Sequence, residues 1–594
     1  NNALQIKFYR LIFIFRIILN LFFNLFFNGQ ENFFRMTDNY SIADKFSLLS
    51  KLMDIHGENS FRSKSYSIAA YSIEQLPVQL AEMPKEKIAG LKGIGDSTAK
   101  KIIEILETGK MSALEEIIFK TPPGVLEMLQ IKGLGPKKII TIWKEMEIES
   151  IGELLYACQE NRLLLFKGFG AKTQQSVMDS IEFYLRHQGH FLYAEICAYA
   201  ETMDELFKKS WPNEKISFTG AFRRQSLVLE KIEWATTISR EKLKTFFISN
   251  SYTILHDDIN SLQCKGPENI QLEFYFTDDN QFYNLLFNSS GSVEFMEKWA
   301  SECVGKSIKT GTEEEIFKSA GIHFIPAGRR EKGSIIELAG KAPLPGLIAD
   351  ADIKGIIHSH SNWSDGSHTL AEMAKVCIEK GLEYLVISDH SKSAFYASGL
   401  SEERIKEQHK LIDELNDQLR PFRIFKSIEC DILNDGSLDY ADEILSTFDL
   451  VITSIHSNLK MTEEKAMARL MKAIQNPYTT ILGHLTGRLL LSRPGYPVNH
   501  IAIIDACKEN QVVIEINAHP RRLDIDWQWI PEALERGVML SINPDAHSTE
   551  GYHDIHYGVL AAQKGGLIKE KNLSSFSREE LEKYLEQRKQ FKNL

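Results

Sequence analysis

The sequence predicts a multidomain protein: an α-helical first third, a mixed α+β middle, and a C-terminal α/β domain of repeated strand–helix units. Three observations carry that prediction. Apolar residues recur at three- and four-residue spacing between positions 41 and 185, as in Ile42, Phe46, Leu49 and Met53. Short apolar runs broken by polar turns, such as Lys215–Phe218 and Ile270–Phe276, replace that pattern in the middle of the chain. From Ile353 onward, apolar strands alternate with amphipathic helices.

Composition sets the outer bounds. A chain of 594 residues has room for about four domains. Its 43% hydrophobic and 25% charged residues are those of a globular protein with sizeable cores. The net charge of −11 excludes a protein that is basic all over, but local patches and backbone amides can still hold phosphate. The seven cysteines are scattered with no C-x-x-C pair, the pattern of reduced thiols in a cytoplasmic protein. Residues 1–35 stand apart. Leu11 to Phe27 is almost wholly apolar, but Arg16, Asn20 and Asn24 interrupt it, and the stretch is dominated by residues that AT-rich triplets encode. It is read as a non-native upstream extension ahead of Met36 and not as a membrane segment, so no membrane partner is expected.

The helical first third carries a short pattern three times: Leu91-Lys92-Gly93-Ile94-Gly95, Ile131-Lys132-Gly133-Leu134-Gly135 and Phe166-Lys167-Gly168-Phe169-Gly170. Each G-x-G opens a helical stretch bearing lysine, as in Lys100-Lys101 and Lys137-Lys138. Glycines allow a tight turn and close approach to a phosphate, and the following helix N-terminus offers free amides. A single copy would be no more than a helix–helix turn. Three copies followed by basic helices resemble the helix-hairpin-helix motif, which grips DNA backbone without reading bases. The resemblance assigns Gly93, Gly95, Gly133, Gly135, Gly168 and Gly170 to that contact.

A Gly/Pro-bearing linker, Gly340 to Gly346, marks the start of the last domain. Its strand-like runs are Ile353–Ile357, Tyr384–Ile387, Arg423–Ile428, Leu450–Ile455, Thr480–Leu482, Val512–Ile516 and Val538–Ile542. Helical runs such as Thr369–Lys380 and Glu402–Leu419 separate most of them, which implies parallel strands in an open sheet or a barrel. The residues just past those strands are His358, His360 and Asp365, then His390, Glu429, His456 and His484, and finally Asp545 and His547. Strand C-termini converge on one face in parallel α/β architectures, so nine imidazole and carboxylate groups are expected in one small space. Any one of these histidines alone would be an ordinary hydrogen-bonded residue. Nine together, unpaired, would be costly to bury, and N/O ligation of Zn, Mn or Fe relieves that cost. Adjacent metals suit phosphoester hydrolysis. Arg488, Arg521 and Arg522 lie just past such strand ends, placed either to hold a substrate phosphate or to form surface salt bridges.

These motifs, from His358-Ser359-His360 and Ser364-Asp365-Gly366 to Asn543-Pro544-Asp545-Ala546-His547, resemble a PHP (polymerase and histidinol phosphatase) domain. The three G-x-G motifs and Gly220-Ala221-Phe222-Arg223-Arg224 make the chain similar to bacterial family X DNA polymerases, which carry that domain at the C-terminus. The resemblance implies a DNA-repair-type enzyme with a distorted (β/α)7 barrel holding three divalent ions, Mn or Zn. It implies 3′–5′ exonuclease work on DNA, with abasic-site endonuclease or 3′-phosphatase as other options. By the same resemblance, His358, His360, Glu429 and Asp545 hold one metal, Glu429, His456 and His484 a second, and Asp365, His390 and His547 a third. The expected domains are residues 36–120 (an 8-kDa-like helical DNA-binding domain), 121–190 (a fingers-like helix-hairpin-helix region), 191–340 (palm and thumb) and 341–594 (the phosphoesterase). The expected partner is gapped or 3′-ended DNA, bound by a monomer.

The resemblance breaks at the polymerase site. The family uses a D-x-D and a third aspartate to hold two magnesium ions. Counting forward from Gly220, the D-x-D falls on Lys231-Ile232-Glu233 and the third aspartate on Gln271, while Ala221 replaces the serine of the motif. Lys231 places a fixed positive charge where a metal should bind, and Glu233 alone cannot hold two divalent ions. The polymerase core is therefore read as inactive, with Arg223 and Arg224 retained and no magnesium expected. Three other readings compete: an active repair polymerase with an editing nuclease, a small-molecule phosphatase, and a non-catalytic DNA-binding protein. They conflict, respectively, with the missing carboxylates, the DNA-gripping motifs and the nine retained ligand candidates.

Overall fold

The computed structural model describes residues 39–594, apart from 75, 77, 78, 187, 188, 267–269, 307, 309 and 310. The extension read over residues 1–35 lies outside the described residues. The chain divides into two compact units, Asn1–Pro122 and Pro123–Leu594.

The first unit is helical. Helices Asn39–His56 and Ser60–Glu74 pack together, and the stripe Ile42, Phe46, Leu49 and Met53 is buried. The turn at Leu91–Gly95 leads into helix Asp96–Thr108, with Gly93 at φ +84° and Gly95 at the N-cap. A Cβ on Gly93 would lie 2.3 Å from the Ser72 hydroxyl, so the position needs glycine both for φ and for space.

The second unit opens with the other two turns. Gly133 and Gly168 repeat the left-handed φ, at +90° and +98°, and helices Pro136–Ile140 and Ala171–Arg186 follow. Between them runs helix Ile151–Gln159, started by a capping box between Ser150 and Glu153. A short ribbon then pairs β1 (Phe191–Leu192) with β3 (Val228–Leu229). The five-stranded sheet comprises β2 (Ile216–Thr219), β4 (Lys231–Thr236), β5 (Thr253–Asp257), β6 (Ser261–Lys265) and β7 (Gln271–Phe276), in the order β2-β4-β7-β6-β5. Strands β4 and β7 are parallel and the other pairs antiparallel. Phe207, Trp234, Phe247 and Phe274 fill its core. Helices Phe282–Ser290, Val293–Glu302, Glu313–Ser319 and Ser334–Lys341 follow, around Phe287, Phe295, Trp299 and Phe317.

Seven parallel strands make the last layer: β8 (Gly355–Ser359), β9 (Tyr384–Ile387), β10 (Arg423–Asp431), β11 (Leu450–Ser454), β12 (Thr479–Leu482), β13 (Val513–Asn517) and β14 (Leu540–Asn543). They lie in chain order, and a bridge from Ser359 to Ala546 joins the two ends. The arrangement is a nearly closed barrel rather than an open sheet. Strand alternation divides its residues: Ile357, Val386, Phe425, Ile452 and Ile481 share one cluster with Leu581 and Leu585 of the C-terminal helix Arg578–Lys592. Ile356, Leu385, Ile424 and Val451 face the surrounding helices instead. All seven cysteines are free, and among the described residues no helix is long and apolar enough to cross a membrane.

Candidate metal centre and its surroundings

Regular alternation would send Ile357 and His358 to opposite faces of β8. The register shifts between Ile356 and Ser359, and His358 takes φ +65°, so its fully buried ring lies 3.3 Å from both Glu429 Oε1 and Asp545 Oδ1. Asp545 is also left-handed, at φ +52°. Strained backbone at two such positions on one site is the kind that a functional arrangement retains.

The structure brings all nine predicted groups together. His358, His360, Glu429 and Asp545 form one set of ligand atoms within 4.8 Å of one another, His360, Asp365, His390 and His547 a second, and His390, Glu429 and His456 a third. The first matches the expected grouping. In the others His360 and His390 take part in two sets each, while His484 Nε2 stands 3.0 Å from Glu429 Oε1. Glu429 is the hub, with His390 at 3.1 Å and His456 at 3.2 Å.

A second layer orients these groups. Glu515 on β13 accepts from His358 Nδ1 at 2.6 Å and Asn543 Nδ2 at 2.8 Å, and its other oxygen accepts from the His484 amide at 2.9 Å and Asn517 Nδ2 at 3.0 Å. Asp431 takes His456 Nδ1 at 2.6 Å. Each contact fixes the tautomer whose Nε2 lone pair faces Glu429. Asp389 ties down the loop carrying Asp365 by accepting from the Ser361 amide (2.8 Å), Ser364 Oγ (2.5 Å) and Gln408 Nε2 (2.6 Å). None of these three carboxylates was among the residues predicted as ligands. Glu515 had a signal: it is the one charged residue in the apolar run Val512–Ile516.

The electrostatics and the unpaired atoms fit divalent cations. Burial opposes charge on Glu429, but His456, His358 and His390 outweigh it and hold its carboxyl well below the usual range. Asp545 is likewise held low, against burial, by His358 and His360. Burial, with His547 and His390 adding to it, pushes His360 down to about 3, leaving a neutral imidazole. His358 Nε2, His360 Nδ1, Asp365 Oδ2, His390 Nδ1, Glu429 Oε2, His484 Nδ1 and His547 Nε2 are buried without a hydrogen-bond partner among the described residues. A cluster of buried imidazole nitrogens and carboxylate oxygens left without partners suits a cation, which would take the place of the ring protons that now offset the carboxylates.

The three arginines part company. Arg488 is committed to structure, donating to the carbonyls of Arg522 and Leu523 and pairing with Asp526. Arg521 is buried and pairs with Glu195 at 2.9 Å. Arg522 is the one at the cluster: its Nε lies 3.0 Å from the Tyr156 hydroxyl and 3.7 Å from Asp545 Oδ2, with the guanidinium 4.6 Å over the Tyr156 ring. Its two Nη groups make no hydrogen bond among the described residues.

Two family models match the helical regions: a helix-hairpin-helix domain over residues 37–111 and a SAM-like helix-hairpin-helix tandem over 125–182. The DNA polymerase/3′-5′ exonuclease PolX of Bacillus subtilis is 32% identical over 554 residues, covering 90% of this chain and 96% of the relative. This chain belongs to the bacterial family X DNA polymerases with a PHP domain. Probable phosphatases of Caldanaerobacter subterraneus (28% identical, 32% of this chain, 76% of the relative) and a Thermoanaerobacter species (26%, 33% and 80%) are similar to the C-terminal region. The chain is thus an enzyme with a metal-dependent phosphoesterase-type domain, and its helix-hairpin-helix regions make it a DNA-binding one.

In this family frame, the polymerase-like site has an unusual content. Lys231 and Glu233 share one face of β4, in register with Gln271 and Glu273 on β7. Lys231 Nζ stands 2.5 Å from Glu273 and 3.2 Å from Glu233. Gln263 donates to Glu273 at 2.7 Å and the Tyr275 hydroxyl to Glu233 at 2.9 Å. Glu273 was not singled out in the sequence. Arg223 pairs with Glu313 and donates to Ser290 Oγ at 2.7 Å, and Arg224 pairs with Glu331 at 3.2 Å, so both are engaged inside the fold.

Proposed function

We propose that this chain shortens DNA from 3′ ends at its C-terminal site and that its polymerase core does not polymerise. The observation that carries the first half is the cluster of buried, unpartnered ligand atoms with its own orienting carboxylates. In this reading His358, His360, Glu429 and Asp545 would hold one divalent ion, Glu429, His456 and His484 a second, and Asp365, His390 and His547 a third. Mn or Zn suits that N/O donor set. Such ions, when bound, activate water and neutralise phosphate charge. The protein's own groups do the rest. Glu515 and Asp431 hold His358 and His456 in the tautomer that presents Nε2 inward. Arg522 offers its free fork to a phosphate oxygen beside Asp545. Arg521 and Arg488, held by Glu195 and Asp526, brace the same loop rather than touch substrate.

The second half rests on Lys231. Its ammonium lies between Glu233 and Glu273, where two magnesium ions would need three free carboxylates. Residues 36–120 and 121–190 would then grip DNA backbone through Gly93, Gly95, Gly133, Gly135, Gly168 and Gly170, 191–340 would serve as scaffold, and 341–594 would hydrolyse. The substrate is gapped or 3′-ended DNA, and the chain works as a cytoplasmic monomer. The test is incubation with end-labelled oligonucleotides, with and without Mn and dNTPs. Shortening from the 3′ end in Mn is expected; intact substrate overturns the nuclease half. Template-directed extension of a gapped primer by the His358→Ala chain overturns the other half and favours a polymerase with an editing nuclease.

A further inference from the structure

After β9 the chain makes a turn over residues 391–400 at the rim of the metal centre. It is tied at both ends. The Ser391 amide donates to the Glu429 carbonyl (3.1 Å), the Ser393 amide to Asp439 (2.6 Å), the Lys392 amide to the Tyr440 hydroxyl (3.0 Å), and the Leu400 amide to the His390 carbonyl (2.9 Å). Ala394 and Ala397 are fully buried, yet Phe395 between them is 85% exposed. A turn so firmly held presents that ring to solvent as a fixed feature, not as the excursion of a loose loop.

The ring is joined to the cluster through Tyr396. Phe395 and Tyr396 have centroids 6.0 Å apart, and Tyr396 is 6.4 Å from the ring of His390. A cation stands on the neighbouring ring: the Arg162 guanidinium lies 4.6 Å over the Tyr396 ring, with its Nε buried and unpartnered among the described residues. An exposed aromatic beside positive charge is how proteins hold single-stranded nucleic acid, since every base has a face to stack. An apolar protein partner would have no use for the buried Arg162 Nε or for the adjacent metal centre.

We propose that Phe395 is a stacking platform for an unpaired nucleobase near the 3′ end of the strand whose phosphodiester enters the metal centre. The proposal rests on the DNA-end reading above and adds to it the side chain that would receive the terminal base. An unpaired or frayed 3′ terminus can place a base on Phe395, whereas a paired terminus must first unstack.

The test uses the full chain with His358→Ala, so that binding is read without turnover. The probe is a single-stranded oligonucleotide with 2-aminopurine among its last few 3′ nucleotides. Quenching on binding is expected, lost in Phe395→Ala and kept in Phe395→Trp. Affinity for the same strand should fall about 5- to 160-fold in Phe395→Ala, the range of one base–aromatic stack. The loss should vanish when those nucleotides are abasic. Unchanged quenching in Phe395→Ala, or an equal affinity loss on the abasic strand, overturns the proposal. Absence of nuclease activity in the parent chain would sink the hydrolytic reading but leave this measurement intact.

Discussion

Glu515→Gln is the sharpest test of how the metal centre is built. The substitution keeps shape and removes one charge. Glu515 is fully buried and accepts four hydrogen bonds, two at each oxygen, and donates none. A glutamine retains one accepting oxygen; its NH2 then faces either the His484 amide and Asn517 Nδ2, or Asn543 Nδ2 and a His358 Nδ1 that must give up its proton to Nε2. Each buried donor left without an acceptor costs about 1–3 kcal/mol. The folded chain without metal is therefore expected to lose about 1–6 kcal/mol, for one or two orphaned donors. The second effect falls on His358, whose Nδ1 loses its anionic partner. Changes of this kind typically lower metal affinity or activity about 10- to 100-fold, or about 1.4–2.8 kcal/mol. The upper end is expected because the same carboxylate also holds the His484 amide and, through Asn517, Asp545 Oδ2 at 2.9 Å. Mn affinity would be measured by competition with a chelator, turnover on an end-labelled oligonucleotide, and stability by denaturant midpoint. An E515Q chain within twofold of the parent in both Mn affinity and turnover would refute the reasoning.

His358→Ala and Asp545→Ala are each expected to abolish 3′ shortening, as is EDTA, because the ligands work as a unit; full activity in any of these conditions contradicts the ligand assignment. Tyr156→Phe keeps the ring over Arg522 but removes the hydroxyl its Nε contacts at 3.0 Å, and should lower kcat about tenfold with less effect on KM, consistent with a hydrogen bond to a charged group; kinetics like the parent's would show that Arg522 is placed without it. Gly133→Ala meets no atom within 4 Å but must hold φ +90°, costing about 1–2 kcal/mol in that turn; DNA affinity in a gel shift should fall while the metal centre's Mn affinity stays unchanged. Lys231→Asp should crowd a third carboxylate against Glu233 and Glu273, lowering thermal stability, without creating nucleotide addition, because Gln271 still stands at the third expected aspartate; gap filling in the His358→Ala background would show that the site lacks only the charge at Lys231.

The fold was legible where periodicity and strand ends coincide. Tyr384–Ile387 and Glu402–Leu419 appear in the structure with the bounds read from sequence, and the other barrel strands differ by a few residues at their ends. The convergence of the nine imidazole and carboxylate groups was legible because parallel strands must deliver their C-terminal residues to one face. The grouping of those side chains was not, since it depends on ring orientation: His360 lies between two sets because its neighbours sit on both sides, His547 and His390 each with centroids 4.3 Å away. Nor was the division among the arginines. Arg488, Arg521 and Arg522 are alike in sequence, and only the distant partners Asp526, Glu195 and Tyr156 separate a brace from a free fork. Glu273 escaped for the same reason: its meaning lies in a cross-strand neighbour, Lys231, 42 positions away in the chain.

Those distant partners bear on why a polymerase core would persist without polymerising. Arg521 of the barrel loop is buried and neutralised by Glu195, which belongs to the helix leading into the middle sheet. Lys564, on a barrel helix and nearly without exposed side chain, pairs at 2.6 Å with Glu331 beyond that sheet. From the helical side, Glu153 pairs with Arg493 at 2.6 Å, Ser150 meets the Ser492 hydroxyl at 2.8 Å, and a Cβ on Gly152 would lie 2.3 Å from Ser492. Stripping away either neighbour would remove these ion pairs and expose the barrel face that they and the packing around them cover. The barrel therefore carries charges whose ion-pair partners among the described residues, Glu195, Glu331 and Glu153, lie in the helical and sheet regions. Tyr156, Arg522 and Asp545 extend the same chain of contacts to the metal centre, so loss of the scaffold would be felt at the hydrolytic site even if no nucleotide is ever added.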